Sequence, residues 1–395
     1  MSESTNSVNL GNARNLGLIA LVVGGIATAA GATMGPDAMK SMMTSYLFAW
    51  VVLMAFTLGC LGVTLLHHTV RGSWGLSVLR LYEAGGGPWS FVAMFIAWIP
   101  IALNIHTIYH HWADPKLAAE LAIQKQQWLT EPFFIGRTVF YFLIWFGLAW
   151  VLKNSSQRED KNPDPKAAQF RTNLSAPALV VFVLSVTFAI TDWVMSIDPH
   201  WSSTIYGVWY TVSGALMALS FGAIVVCANR NKEPYSEIIS PSLTKDLGNL
   251  CFAFTMFWCY VTLSQFLITW SGNLPEFTRY YVDRKISQHA WWNYVGAFNI
   301  VFGFFVPWTI LLAPRAKAKA TILLYIAVLI FFMKMVDMYW NVIPSLRSTG
   351  FDWRDIAGLV LLGGLWFTVF GSQIRQAALI PEHDTRLMEA QPHHA

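Results

Sequence analysis

The amino-acid sequence predicts an all-α polytopic membrane protein with ten transmembrane helices. Of its 395 residues, 55% are hydrophobic and only 12% are charged, which is too little charge for the surface of soluble domains. Ten apolar runs each have about the 20 residues that a helix needs to cross ~30 Å of hydrocarbon. The charged residues gather between these runs. These observations exclude a nucleic-acid-binding protein and a disordered chain.

The ten runs define a single integral membrane domain over residues 1–395. No small-residue cleavage site follows the first run, so we predict that it is retained as a helix. The charged, proline-containing segment 153–175 predicts a cytoplasmic linker between helices 1–4 (16–152) and helices 5–10 (176–374), and a cytoplasmic tail follows at 375–395. In order, the runs cover roughly residues 16–34, 44–66, 87–104, 135–152, 176–195, 203–228, 248–270, 289–312, 320–341 and 356–374.

Basic residues predict the orientation of these helices. Lys and Arg resist translocation, and about twice as many lie in the N-terminal tail, the even-numbered loops and the C-terminal tail as in the opposite loops. Both termini are therefore predicted to be cytoplasmic. Before helix 3, the segment Ser73–Glu83 mixes Trp, Leu and Tyr with Arg80, and it predicts a short interfacial helix on the inner side.

Helices 5 and 9 carry ionisable residues inside their apolar runs, where a charge costs roughly 3 kcal/mol on insertion scales. Lys334 and Asp337 are three residues apart in helix 9 and share a face. At 1.5 Å per residue from the cytoplasmic start of each helix, Lys334 lies ~20 Å deep, and Asp337 and Asp192 both lie ~24 Å deep. The sequence therefore predicts one polar cluster of Asp192, Lys334 and Asp337 in the outer half of the membrane.

Two interpretations of this cluster stay open. A structural ion pair would neutralise charge and fix helix packing. A functional site would conduct protons or bind a polar headgroup, since buried carboxylates and amines can exchange protons. Arg137, at the outer start of helix 4, and Gln265, in the outer half of helix 7, are candidates for the same polar pocket.

Two histidines form a second candidate site at the inner face. His67 and His68 end helix 2, and with Arg71 and Glu83 they are candidates for the inner mouth of a proton path. The alternative is a pair of interfacial histidines that hydrogen-bond to the backbone or to water.

The sequence predicts no metal site and no redox centre in this chain. None of its ten histidines lies mid-membrane, where a b-type haem needs its axial imidazoles, and its four cysteines form no CxxC or CxxCH pair. His106 and His110 have the i, i+4 spacing of a metal pair, but no third ligand accompanies them. Any redox centre is therefore expected in partner chains.

The stretch DWVMSIDPHWSSTIYGVWY (Asp192–Tyr210), together with the ten-helix layout and the polar helix 9, resembles one family of membrane proteins. It is similar to the NrfD/polysulfide-reductase type of membrane subunit, in particular to the F subunit of alternative complex III, the bacterial quinol:electron-acceptor oxidoreductase. The resemblance covers nearly the whole chain, and this stretch is its most specific part. It implies two four-helix bundles plus two flanking helices, in the bacterial inner membrane.

The resemblance also implies partners and chemistry. The partners are a longer NrfD-like paralogue, a multihaem cytochrome c, an iron–sulfur subunit and small membrane subunits, so that haem c and the iron–sulfur clusters lie outside this chain. The longer paralogue is expected to oxidise quinol. This chain would contribute to proton translocation or to interaction with a quinone such as menaquinone, and to assembly of the respiratory complex.

A quinol site needs a base for each hydroxyl proton and an apolar slot for the ring, and the predicted cluster offers both among Trp193, Trp270 and Trp340. Two other functions stay open. An ion-coupled secondary transporter also uses buried Asp–Lys pairs. A purely structural membrane subunit would use the same charges to hold helices together.

Overall fold

The computed structural model describes residues 8, 10, 12–162, 164–284, 291–347, 350–376 and 378–381, and within them the protein is all-helical without strands. Ten of the described helices are long and apolar enough to span a membrane, which confirms the predicted fold class of a multi-pass membrane protein. They are α1 (Asn12–Gly31), α2 (Ala38–Val70), α3 (Pro88–Leu103), α4 (Glu131–Lys161), α5 (Pro165–Trp193), α6 (Tyr206–Ala228), α7 (Pro241–Gly272), α8 (Trp291–Leu312), α9 (Ala320–Val342) and α10 (Trp353–Ile374).

The centre of the protein is formed by α2 and α6. Their most apolar stretches are 89% and 83% buried, because both helices are hydrophobic on every side and pack against neighbours all round. The two backbones approach closely at Gly59 and Gly214, where a Cβ on Gly59 would lie 1.9 Å from the Gly214 carbonyl oxygen. Small residues allow such contact between helices in a membrane. This pair is the core on which the other helices pack.

The remaining helices form groups around this pair. Helix α4 packs against α3 and α5, which both pack on α2, whereas α8 packs against α7 and α9, which both pack on α6. Helix α1 packs along α10, which in turn packs on α2. Gly24 of α1 and Gly364 of α10 lie at this contact, and a Cβ on Gly24 would lie 2.3 Å from the Leu361 backbone nitrogen. These glycines allow the α1 and α10 backbones to touch.

The segment 153–175, predicted as a solvated linker, is helical over 153–161 and 165–175. Helix α4 continues to Lys161, and α5 begins at Pro165, where Asp164 accepts a hydrogen bond from the Lys166 backbone N–H. Some of the charges that favour a linker have partners within the protein, for example Arg171 and Glu159, whose Nη2 and Oε2 atoms are 2.5 Å apart. Such pairs stabilise the parts of the two helices that extend beyond the apolar runs.

The short helix predicted before α3 is present, but it lies inside the protein and not on its surface. The segment forms a 3₁₀ helix at Ser73–Ser77 and an α-helix at Leu79–Gly85, every residue of which is buried. Arg80 Nη1 donates to Glu83 Oε2 at 2.8 Å, and Arg80 Nη2 reaches Asp160 at 2.5 Å. Ion pairing therefore lets this amphipathic segment lie inside the protein instead of on its surface.

Candidate functional site

Lys334 and Asp337 lie side by side on α9, as the spacing predicts. Lys334 is 0% exposed and Asp337 is 1% exposed, and Lys334 Nζ lies 3.7 Å from Asp337 Oδ2. Both residues face the other helices of their group, α6, α7 and α8. Burying an ion pair between helices costs desolvation free energy. The hydrogen bonds that each partner makes to other residues therefore decide whether the pair stabilises the fold.

Asp337 is surrounded by hydrogen-bond donors from four helices. Its Oδ2 accepts from the indole N–H groups of Trp209 at 3.0 Å and Trp258 at 2.8 Å, and from Ser213 Oγ at 3.3 Å. Its Oδ1 accepts from Asn299 Nδ2 at 2.9 Å and Asn341 Nδ2 at 3.3 Å. Donors of this kind stabilise the charged form of a carboxylate that water cannot reach.

The Lys334 ammonium has a different environment. Its Nζ lies 3.1 Å from the centroid of the Trp258 ring, a cation–π contact. Within the part of the chain that the structure describes, this nitrogen has no hydrogen-bond acceptor. Trp258 thus contacts both members of the pair, with its N–H on Asp337 and its ring face on Lys334. The ammonium keeps N–H donors that an oxygen atom of a ligand can accept.

A π-helical turn lies beside this pair. Helix α8 changes from α to π geometry at Val301–Phe305, two residues after Asn299. A Cβ at Gly303 would lie 2.8 Å from Asn299 Oδ1, so the bulge accommodates the Asn299 amide at close range. Such bulges occur often at functional sites. Here the π turn sets the position of a donor to Asp337.

A polar network extends from Asp337 towards the segment after α7. Asn341 Nδ2 donates to the Asp337 backbone carbonyl at 2.8 Å, and Tyr280 OH donates to Asn341 Oδ1 at 2.5 Å. Burial raises the pKa of Tyr280 to about 12, so its hydroxyl stays protonated and acts as a donor. The Arg284 guanidinium lies 3.4 Å from the Tyr280 ring centroid and donates to the Asn341 carbonyl. This network links Asp337 to the short helix Pro275–Asp283.

Asp192 forms a separate site on α5 with Arg137 of α4. Arg137 Nε and Nη2 each donate to the carboxylate at 2.8 Å, in the bidentate geometry of a strong ion pair. Tyr141 OH donates to Oδ2 at 2.9 Å, and Trp128 Nε1 donates to Oδ1 at 3.0 Å. The guanidinium also lies 4.1 Å from the Trp128 ring centroid. Each carboxylate oxygen of Asp192 therefore accepts two hydrogen bonds.

The described contacts place Asp192 in one hydrogen-bond network and the Lys334–Asp337 pair in another, so the prediction that all three form one polar cluster is not confirmed. Asp192 bonds to α4 and the segment before it, whereas Asp337 bonds to α6, α7 and α8. Equal depth along two helices does not determine their lateral distance. Arg137 therefore belongs to the Asp192 site alone.

The other predicted residues lie outside both sites. Gln265 accepts a hydrogen bond from Ser203 and donates to Thr269 Oγ1 at 3.2 Å. His67 and His68 are buried at the end of α2, with the His67 ring 5.3 Å from the ring of Trp74. Glu83 forms its ion pair with Arg80, three residues before it on the same short helix.

Several residues of the Asp337 site are not evident from hydropathy. Trp209 and Ser213 lie in α6, and Trp258 lies in α7. Tryptophan and serine are common in membrane helices, so the sequence alone does not single out these three residues. Asn299 carries a clearer signal, because an amide inside an apolar run needs a hydrogen-bond partner. Asn341 is four residues after Asp337 and therefore shares its face.

No protein-family model matches this chain, and no curated protein matches it. The geometry therefore carries the functional argument. The Lys334–Asp337 site combines a satisfied carboxylate, an ammonium with free donors and aromatic walls. Such a site can bind a carbonyl or hydroxyl oxygen, or pass a proton between an oxygen ligand and a buried base.

Proposed function

We propose that this chain is an integral membrane subunit of a respiratory quinol:electron-acceptor oxidoreductase of the alternative complex III type, in the bacterial inner membrane with cytoplasmic termini. Its Lys334–Asp337 site handles protons or a quinone headgroup, and the chain helps to assemble the complex. Haem c and iron–sulfur clusters belong to partner subunits in this proposal, together with a longer NrfD-like paralogue and small membrane subunits.

The observation that carries the proposal is the environment of Lys334. An ammonium that only neutralised Asp337 would be expected to hydrogen-bond to it, because that bond offsets the cost of burial. Lys334 Nζ lies 3.7 Å from Asp337 Oδ2, longer than an ordinary hydrogen bond, and 3.1 Å from the centroid of the Trp258 ring, so the pair leaves donor capacity on the ammonium. A quinone carbonyl or a water molecule is the kind of group that accepts from such donors.

Two further features support the family resemblance behind the proposal. The packing of α2–α5 as one group and α6–α9 as another, with α1 and α10 beside them, agrees with two four-helix bundles plus two flanking helices. The stretch Asp192–Tyr210 contributes to both carboxylate sites, since it supplies Asp192 itself and Trp209 for Asp337. A single stretch that supplies side chains to both carboxylate sites is consistent with its being the most specific part of the family resemblance.

A structural role for the charges is the second candidate. The five side-chain donors to Asp337 favour it, because a fully bonded carboxylate can hold four helices together without exchanging protons. An ion-coupled secondary transporter is the third candidate. These candidates make different predictions about partners.

Purification of the affinity-tagged chain from its native membrane tests the proposal. We expect it to bring down several chains, including one with covalently bound haem, and the preparation to oxidise a quinol with an electron acceptor. Recovery of the chain alone, without haem absorbance, would contradict membership of such a complex. Ion-driven solute uptake by the isolated chain in vesicles would favour the transporter.

A further inference from the structure

A surface cleft lies between the end of α4 and the start of α5, remote from the Lys334–Asp337 site. It has a volume of about 540 Å³. Its walls combine aromatic and aliphatic residues, Trp150, Val151 and Phe170, with two cations, Arg158 and Lys166. Trp150 and Phe170 are 46% and 50% exposed, so the apolar side of the cleft is open at the protein surface.

The two cations are available to a ligand. No ion pair or side-chain hydrogen bond occupies Arg158 or Lys166 within the described residues. Two carboxylates, Glu159 and Asp164, also line the cleft. Glu159 pairs with Arg171 at 2.5 Å, whereas Asp164 accepts a backbone N–H from Lys166 at 2.9 Å, which does not neutralise its charge. With Glu159 paired, two cations face one carboxylate, so the cleft keeps a net positive charge.

The level of the cleft along the helices matches a phospholipid headgroup. Arg137 and Asp192 are hydrogen-bonded, so α4 and α5 share a common level at that pair. At 1.5 Å per residue, Arg158 on α4 and Phe170 on α5 both lie roughly 30 Å further along, which is the thickness of the hydrocarbon core. Lys166 lies further along α5, roughly 40 Å from that pair, so both cations lie beyond the ~30 Å that the hydrocarbon spans, whereas Trp150 lies about 20 Å from the pair and within that length.

We propose that this cleft binds an anionic phospholipid, with its headgroup phosphate between Arg158 and Lys166 and its acyl chains over Trp150 and Phe170. Guanidinium and ammonium groups bind phosphate oxygens through charge-assisted hydrogen bonds. Basic pockets between membrane helices recognise lipid headgroups in this way. The apolar wall favours a lipid over a free phosphate ion, which would leave Trp150 and Phe170 uncovered. Lipid binding at this cleft is independent of the function proposed for the Lys334–Asp337 site.

A binding titration tests the proposal on the protein as purified, in mixed micelles that contain either phosphatidylglycerol or phosphatidylcholine. The variants are Arg158→Gln, Lys166→Gln and their combination. Lys161→Gln is the matched control, because Lys161 is an exposed cation on the same helix that does not line the cleft. Since the two cations make no ion pair within the described residues, all four variants should melt at the wild-type temperature without lipid.

We expect phosphatidylglycerol to bind more tightly than phosphatidylcholine, and each cleft variant to weaken its binding about fivefold. Lys161→Gln should bind like the wild type. Equal affinity of the double variant and the wild type would overturn the proposal. Equal affinity of the wild type for inorganic phosphate and for phosphatidylglycerol would also overturn the proposal, because the ligand of the cleft would then be a soluble anion and not a lipid.

Discussion

The substitution Trp258→Phe tests the double contact of Trp258 most sharply. Phenylalanine keeps an aromatic face for the Lys334 ammonium but removes the N–H that donates to Asp337 Oδ2 at 2.8 Å. A hydrogen bond to a charged group contributes ~1.5–3 kcal/mol, so we expect the free energy of unfolding to fall by at least that much, since the smaller ring also leaves a cavity.

Trp145→Phe is the matched control for this substitution. Trp145 is also buried, and its indole N–H donates to Ser185 Oγ at 2.9 Å, a neutral acceptor. Both substitutions exchange indole for phenyl, so the cavity contribution is similar. Because a neutral hydrogen bond contributes only ~0.5–1.5 kcal/mol, Trp258→Phe should cost ~1 kcal/mol more than Trp145→Phe.

Reversible unfolding in mixed micelles with increasing denaturing detergent measures these free energies. A double-mutant cycle with Asp337→Asn then isolates the Trp258–Asp337 interaction from the cavity. We expect a coupling energy of ~1 kcal/mol or more, because the asparagine carries no charge for the indole N–H to stabilise. Equal costs for the two Trp→Phe substitutions, or additive effects in the cycle, would refute the assigned contact.

Three other perturbations test the packing and the charges. Gly24→Ala should separate α1 from α10, since its Cβ would lie 2.3 Å from a backbone nitrogen of α10. We expect the free energy of unfolding to fall by ~1–3 kcal/mol. Gly25 faces open space, so Gly25→Ala should leave the free energy of unfolding unchanged in the same assay. Asp192→Asn leaves a buried guanidinium unpaired and should cost ~3–5 kcal/mol; Asp198→Asn, whose partner arginine is 47% exposed, should cost less than ~1 kcal/mol. Burial lowers the pKa of His111, so the folded protein binds fewer protons there than the unfolded chain, and stability should fall as pH drops below about 6.5. His111→Gln should make that fall smaller in melting experiments across this range, and an unchanged fall would contradict the assignment.

The number of spanning helices follows from hydropathy, because each one requires its own apolar run. The Lys334–Asp337 pair also follows from the sequence, since an i, i+3 spacing is local and fixes a shared face. The pairing of Arg137 with Asp192 depends on which helices are neighbours. Hydropathy gives depth but no lateral order, and for that reason the sequence alone places Asp192 beside Asp337.

Segments 73–83 and 153–175 carry charges that predict contact with water. In the folded protein several of these charges pair over long sequence separations, as Arg80 does with Asp160, whereas Arg158 and Lys166 stay exposed. A single sequence contains no signal for such pairs, so the helical continuation of α4 and the buried position of Leu79–Gly85 follow only from the fold.

The central claim is that Lys334 and Asp337 handle protons or quinone, and quinol-dependent proton release by the assembled complex tests it most directly. Asp337→Asn and Asp192→Asn should be compared from about pH 6 to about pH 9, with turnover and proton release expressed per assembled complex. We expect Asp337→Asn to lower both quantities, and Asp192→Asn to lower the yield of complex but to leave its specific activity close to that of the wild type. Wild-type turnover and proton release in assembled Asp337→Asn would contradict the claim and assign the pair a structural role.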